Sequence, residues 1–164
     1  MIEQLKELLE MQRVLDDNIL RNKGIKQYPK ENMQVALFVE LGELLNELPT
    51  RFKHWKSSAV DNREEALVEY VDCLHFALSL ANNESESFNN DLALSPDIYD
   101  YNSHQITLLS ELPVHKLLKN ITQFEGNLSY LFGLGAKLGF EWDEIYKAYK
   151  DKNAVNYERL RNNY

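Results

Sequence analysis

Residues 29–48 read PKENMQVALFVELGELLNEL, and this stretch decides the fold. Met33, Leu37, Leu41, Leu44 and Leu48 recur at three- and four-residue intervals. That is the period of an α-helix with one apolar face, not the alternation of a half-buried strand. Pro29 suits the first turn of such a helix, where its missing N–H is no loss, and Pro49 stops it. Beside the apolar stripe, Ala36, Glu40, Glu43 and Glu47 share a second face.

The same periodicity extends outward in both directions. Residues 2–20 place Ile2, Leu5, Leu8, Leu9, Leu15 and Ile19 on one stripe, and a loop with Gly24 follows. A third helix is expected over 61–81 through Leu67, Tyr70, Val71, Leu74 and Leu78, with Asp61 and Glu64 at the spacing of a capping box. A fourth is expected over 114–138 (Leu117, Leu118, Ile121, Phe124, Leu128, Leu131), with Gly139 as its stop, and a fifth over 142–160. Strand signals are nearly absent. The expectation is an all-α fold: one domain over 1–164, a helical bundle of about five main helices. Between the third and fourth helices, residues 83–113 are rich in Asn, Ser and Asp and only weakly periodic. They read as a mobile or accessory insert, partly helical around residues 106–111, of a length more often functional than inert.

Composition narrows the function. Of 164 residues, 44% are hydrophobic, enough for a real core, and the formal charge of -8 argues against a general nucleic-acid binder. It does not argue against a small phosphorylated substrate, because divalent cations can carry phosphate to an acidic site. No apolar run approaches the roughly 18 residues of a membrane span. The single cysteine, Cys73, allows no intrachain disulfide, and no secretory leader is recognised, so a cytoplasmic location is expected.

The informative residues are polar groups that intrude on apolar stripes. Glu40 and Glu43 stand three residues apart, as do Glu69 and Asp72 on the next helix. That spacing holds side chains about 5–6 Å apart, so each pair repels unless something positive lies between. Two pairs on neighbouring helices can surround a hard cation with oxygen ligands, and magnesium is the fitting ion. A solvated charged face explains a lone pair as well. Gln12 and Asp16 fall on the first helix's stripe, either as a hydrogen bond inside the bundle or as a base-recognising group. Lys152, Asn153, Asn156 and Arg159 lie near one face of the last helix, either holding phosphate or complementing the helix dipole. Trp55 could stack on a nucleobase or pack its loop onto the bundle.

Three segments carry a resemblance: Leu8-Leu9-Glu10-Met11-Gln12 with Asp16-Asp17; Glu40-Leu41-Gly42-Glu43 with Glu69-Tyr70-Val71-Asp72; and Leu138-Gly139-Phe140-Glu141-Trp142-Asp143-Glu144-Ile145 leading into Lys152-Asn153-Ala154-Val155-Asn156-Tyr157-Glu158-Arg159. Together they resemble the dimeric dUTPase family of the all-α NTP pyrophosphatase superfamily, related to MazG-like enzymes. The resemblance leaves out residues 83–113. It implies a homodimer that hydrolyses dUTP, and often dUDP, to dUMP, limiting uracil incorporation into DNA. It implies that Glu40, Glu43, Glu69 and Asp72 bind two or three Mg2+ ions, with Mn2+ as a substitute. Glu40 and Glu43 would be catalytic, Glu40 orienting or deprotonating the attacking water. Gln12, Asp16, Trp55 and Asn156 would form the uracil pocket, with His75 and Phe76 at the sugar and base. Lys152, Asn153 and Arg159 would hold phosphate, with Tyr164 a further candidate.

The segment after Arg159, Leu160-Arg161-Asn162-Asn163-Tyr164, departs from the family pattern, in which Gln more often follows the Arg and Gly precedes the Tyr. Two other readings compete. The metal motifs read only phosphates, so a dCTP or broader NTP pyrophosphatase would carry them too. An acidic helical module that binds a protein partner, through the 83–113 insert for example, would need no convergence of the four carboxylates.

Overall fold

The computed structural model describes residues 2–83, 97–100, 105–123 and 128–162. It is a helical bundle of α1 (Ile2–Asn22), α2 (Lys30–Asn46), α3 (Arg63–Asn83), α4 (Val114–Gln123), α5 (Leu128–Leu138) and α6 (Trp142–Arg161). The fold is all-α, as expected. No described helix is long and apolar enough to cross a membrane.

α3 is the central helix. It packs against α1, α2, α5 and α6, and it is buried around most of its circumference: Tyr70, Val71, Cys73, Leu74, Ala77, Leu78 and Leu80 all lie in the core. From Tyr70 onward the helix is mostly buried, so this part takes the middle of the bundle, while Arg63, Glu64, Glu65 and Val68 stay exposed. α2 lies along it through the stripe read from sequence, with Leu37, Leu41, Leu44 and Leu48 buried. Leu5, Leu8 and Leu15 do the same for α1.

The helix boundaries differ from the sequence reading in instructive places. Pro29 is the residue before α2, not part of its first turn, and its carbonyl accepts from the Met33 N–H. α3 starts two residues later than expected, and Asn62 caps it by accepting from the Glu65 N–H. Asp61 faces backward instead. Its carboxylate accepts from the Thr50 N–H and hydroxyl, closing the loop that leaves the 3-10 turn Pro49–Arg51. The expected helix over 114–138 is two helices packed on each other. Phe124 and the poor helix formers Gly126 and Asn127 fall in the stretch between them, outside the described residues.

Two glycines of α5 permit close packing. A Cβ on Gly133 would sit 2.6 Å from Leu109 Cβ, and one on Gly135 would sit 2.6 Å from the Tyr70 hydroxyl oxygen. α5 ends at Gly139, whose φ of 80° is the left-handed stop expected for it. Beyond it, the Arg63 guanidinium donates to the Gly139 carbonyl at 2.7 Å and to Glu144 at 2.5 Å, tying the start of α3 to the start of α6.

Within the insert, the helix expected around residues 106–111 is instead a strand followed by a 3-10 turn. β1 (Asp97–Asp100) pairs antiparallel with β2 (Gln105–Leu108), Asp97 opposite Leu108, and the turn is Leu109–Glu111. Ile106 and Thr107 are β-branched and favour the extended chain over a single turn of helix. Residues 84–96 and 101–104 lie outside the described residues.

Candidate active site

α2 and α3 bring the carboxylates together. Glu40, Glu43 and Glu69 each offer an oxygen within 4.8 Å of the others. The interaction-module reading needed these side chains to diverge to separate solvent faces, and they do not. Glu40 is half-buried, and its pKa is pushed up to about 7, first by burial and then by repulsion from Asp72, Glu43 and Glu69. Burial, with Asp72 and Glu43 nearby, raises Glu69 as well. Lys152 offsets only part of this repulsion at Glu40 and Glu69. The oxygen-only donor set and the repulsion that remains both fit a hard divalent cation.

Asp72 stands slightly apart. Its Oδ2 accepts from Lys152 Nζ of α6 at 2.5 Å, and the two side chains are 17% and 20% exposed. Next in the chain, Asn153 is buried, and its Nδ2 finds no hydrogen-bond partner among the described residues. Cys73 cannot serve as a nucleophile, because burial, aided by Glu40 and Asp72, raises its thiol well above the ordinary value and keeps it neutral.

One or two turns further along α3 a cleft opens between α1, α3 and α6. Gln12, Asp16, His75, Phe76, Asn156 and Arg159 all line it, six of the residues singled out from sequence. Its cavity volume is about 250 Å³, just under the roughly 300–1,000 Å³ of most small-molecule sites. Glu69, Asp72, His75, Phe76 and Ser79 succeed one another at helical spacing. From Glu69 to Ser79 the axis rises about 15 Å at roughly 1.5 Å per residue. One helix therefore carries both the acidic end and the cleft.

The cleft floor is a buried polar network. Gln12 Oε1 accepts from the Tyr149 hydroxyl at 2.8 Å and lies 2.7 Å from His75 Nδ1, while Gln12 Nε2 donates to Asp16 Oδ1 at 2.7 Å. A carbonyl oxygen can only accept, so His75 carries its proton on Nδ1. Burial lowers the His75 pKa to about 3, which leaves the ring neutral, with Nε2 as a lone-pair acceptor. That Nε2 and Asp16 Oδ2 are buried without a partner among the described residues. The Tyr149 ring stacks on His75 with centroids 4.1 Å apart.

Gln12 lines the cleft and makes the bundle-internal hydrogen bonds that were one of its two readings; one of its two amide N–H groups goes to Asp16. Trp55 is 68% exposed and does not line the cleft; it meets the edges of Phe52 and His54 in the α2–α3 loop. Lys152 sits at the acidic end and not in the cleft, while buried Asn153 hydrogen-bonds Tyr149 of the network beneath it. Tyr164 lies outside the described residues. Sequence reasoning missed Met33 and Ser79 in the lining, and Tyr28, whose hydroxyl is 2.8 Å from Ser79 Oγ. Ser79 was findable, being seven residues beyond Asp72 on the same helical face. Met33 belonged to a core stripe and gave no such sign.

A family model described as dUTPase aligns with residues 4–164, insert included. No curated protein matches the chain.

Proposed function

The chain belongs to the dUTPase family and is a dUTP diphosphatase, and from that premise we propose that it works with magnesium held by Glu40, Glu43, Glu69 and Asp72. The observation that carries this reading is the meeting of three carboxylates from two helices within 4.8 Å of one another. Two or three Mg2+ ions, replaceable by Mn2+, would neutralise the phosphate oxygens and activate water there.

The roles of the chain's own residues follow from their chemistry. Glu40 orients the attacking water and takes its proton. Glu43 and Glu69 fix the opposite side of the cluster. Lys152 and Arg159 offset the negative charge that develops as pyrophosphate leaves, with Asn153 as a neutral donor. In the cleft, the His75 Nε2 and Asp16 Oδ2 acceptors suit a base edge that offers an N–H, as uracil does at N3. Phe76 and Met33 supply apolar walls, and Asn156 supplies an amide able to donate or accept. Trp55 reaches the base only if its loop closes. dUDP is the second substrate in this reading, and a cytoplasmic homodimer is the working form.

The test is product analysis with dUTP, dCTP, dTTP and UTP, each with and without magnesium. Metal-dependent release of dUMP and pyrophosphate from dUTP alone supports the reading. Turnover of dUTP undiminished by chelation of divalent ions would overturn the metal assignment. Comparable turnover of dCTP would overturn the assignment of the cleft to uracil, since cytosine also offers an N–H through its amino group.

A further inference from the structure

The acidic end of the site already holds a cation of its own. Lys152 reaches from α6 to Asp72 on α3 and places Nζ 2.5 Å from Oδ2 in a mostly buried pair. The other three carboxylates gather without Asp72. A divalent ion held at roughly 2.1 Å by the same carboxylate would stand within a few ångströms of this ammonium, and the two positive charges repel. The flexible four-carbon stem of Lys152 can move away from that repulsion where the α3 backbone under Asp72 cannot.

The inference rests on the metal reading above. We propose that Lys152 is the resident counter-ion of Asp72 in the cation-free enzyme, and that it is released from Asp72 as the carboxylates take up a divalent ion. The released ammonium is then available to substrate phosphate. Metal and nucleotide binding are thereby coupled through one side chain, beyond any contact between the metal and the phosphate themselves. Such coupling is reciprocal: each ligand lowers the cost of binding the other. Without metal, Lys152 stays on Asp72 and the phosphate end of the site lacks its ammonium.

Two measurements test this on the full chain. The first is the rate at which Lys152 is acylated by an N-hydroxysuccinimide ester, read by peptide mass spectrometry at matched ionic strength. Magnesium should speed the labelling of Lys152 severalfold, and the α,β-imido analogue of dUTP added with magnesium should slow it again. The second is the magnesium affinity of Lys152→Met, measured by calorimetry without nucleotide. It should be about fivefold tighter than in the parent chain, the scale of a partly buried ion pair. Labelling that ignores magnesium, in a chain that calorimetry shows to bind it, overturns the inference and leaves the metal reading intact. So does an unchanged or weaker affinity in folded Lys152→Met. If that variant does not fold, the labelling of the parent chain decides alone. A parent chain that binds no magnesium overturns the metal reading and this inference with it.

Discussion

His75 Nδ1 lies 2.7 Å from the side-chain oxygen of Gln12, across the interior from α3 to α1. This contact fixes the imidazole tautomer and leaves its other nitrogen as an acceptor in the cleft. Gln12 also receives the Tyr149 hydroxyl and donates to Asp16. Replacing it by Leu would take a partner from three buried groups at once, although Tyr149 keeps Leu8 and Asn153 and Asp16 keeps Ser79. Each such loss costs on the order of 1–3 kcal/mol, and networks exceed the sum of their pairs. Gln12→Leu should therefore lose about 3 kcal/mol or more in urea unfolding and raise KM for dUTP. A loss below about 1 kcal/mol would mean that water replaces the amide.

Glu43→Gln should abolish turnover and keep the fold. The side chain is exposed, and surface substitutions usually move stability by less than about 0.5 kcal/mol. Removing one of three clustered negative charges should, if anything, stabilise the metal-free chain. We expect an unchanged helical circular dichroism spectrum with activity reduced at least about a thousandfold, the scale of losing a group that acts chiefly in the transition state. Turnover within about threefold of the parent would remove Glu43 from the site.

The contrast between the acids and Trp55 shows what a single sequence can carry. Glu40, Glu43 and Glu69 were legible because helical period is rigid: three residues on one helix must be neighbours, and two amphipathic helices in a bundle must meet. Gln12, Asp16 and His75 converge by the same rule. Trp55 sits in a loop, where no period ties sequence separation to position, and the sequence could not say which way it faces. The two strands of the insert were missed because four residues each give too little pattern to set against a helix. Lys152 was read from the sequence as a cation for phosphate. Its pairing with Asp72 was not legible, because that contact spans 80 residues and depends on how α6 lies on α3.

The α3–α5 contact should tolerate no added methyl. Tyr70 is fully buried, donates to the Leu131 carbonyl at 3.0 Å, and lies where a Gly135 side chain would be. Gly135→Ala places a carbon 2.6 Å from its hydroxyl, and a ring held by a hydrogen bond cannot retreat cheaply. Overpacking of this kind costs about 1–3 kcal/mol, more than the gain in helix propensity from Gly to Ala of roughly 1 kcal/mol. The variant should unfold at lower urea concentration, and Gly135→Ala with Tyr70→Phe should recover part of the loss by relieving the closest contact. A single variant as stable as the parent would show that α5 can slide on α3.

Protons should compete with metal at Glu40. Burial and the neighbouring carboxylates hold its pKa near 7 in the folded, metal-free chain, against 4.5 in the unfolded one. The folded state thus binds more protons between these values, so this group makes the metal-free chain lose stability as pH rises from about 4.5 to about 7. His75 acts in the opposite sense over part of the same range. Its folded value of about 3 lies below the unfolded 6.5, so its contribution is lost as pH falls through that window. Glu40→Gln removes the first term alone, and the metal-free variant should gain stability relative to the parent as pH climbs above 5 toward 8. A cation must displace the Glu40 proton, so magnesium affinity of the parent should fall as pH drops below about 7 and change much less with pH in Glu40→Gln. Titrations of both proteins at several pH values, followed by calorimetry, check this. An equal pH dependence in the two would place the competing proton on another carboxylate of the cluster.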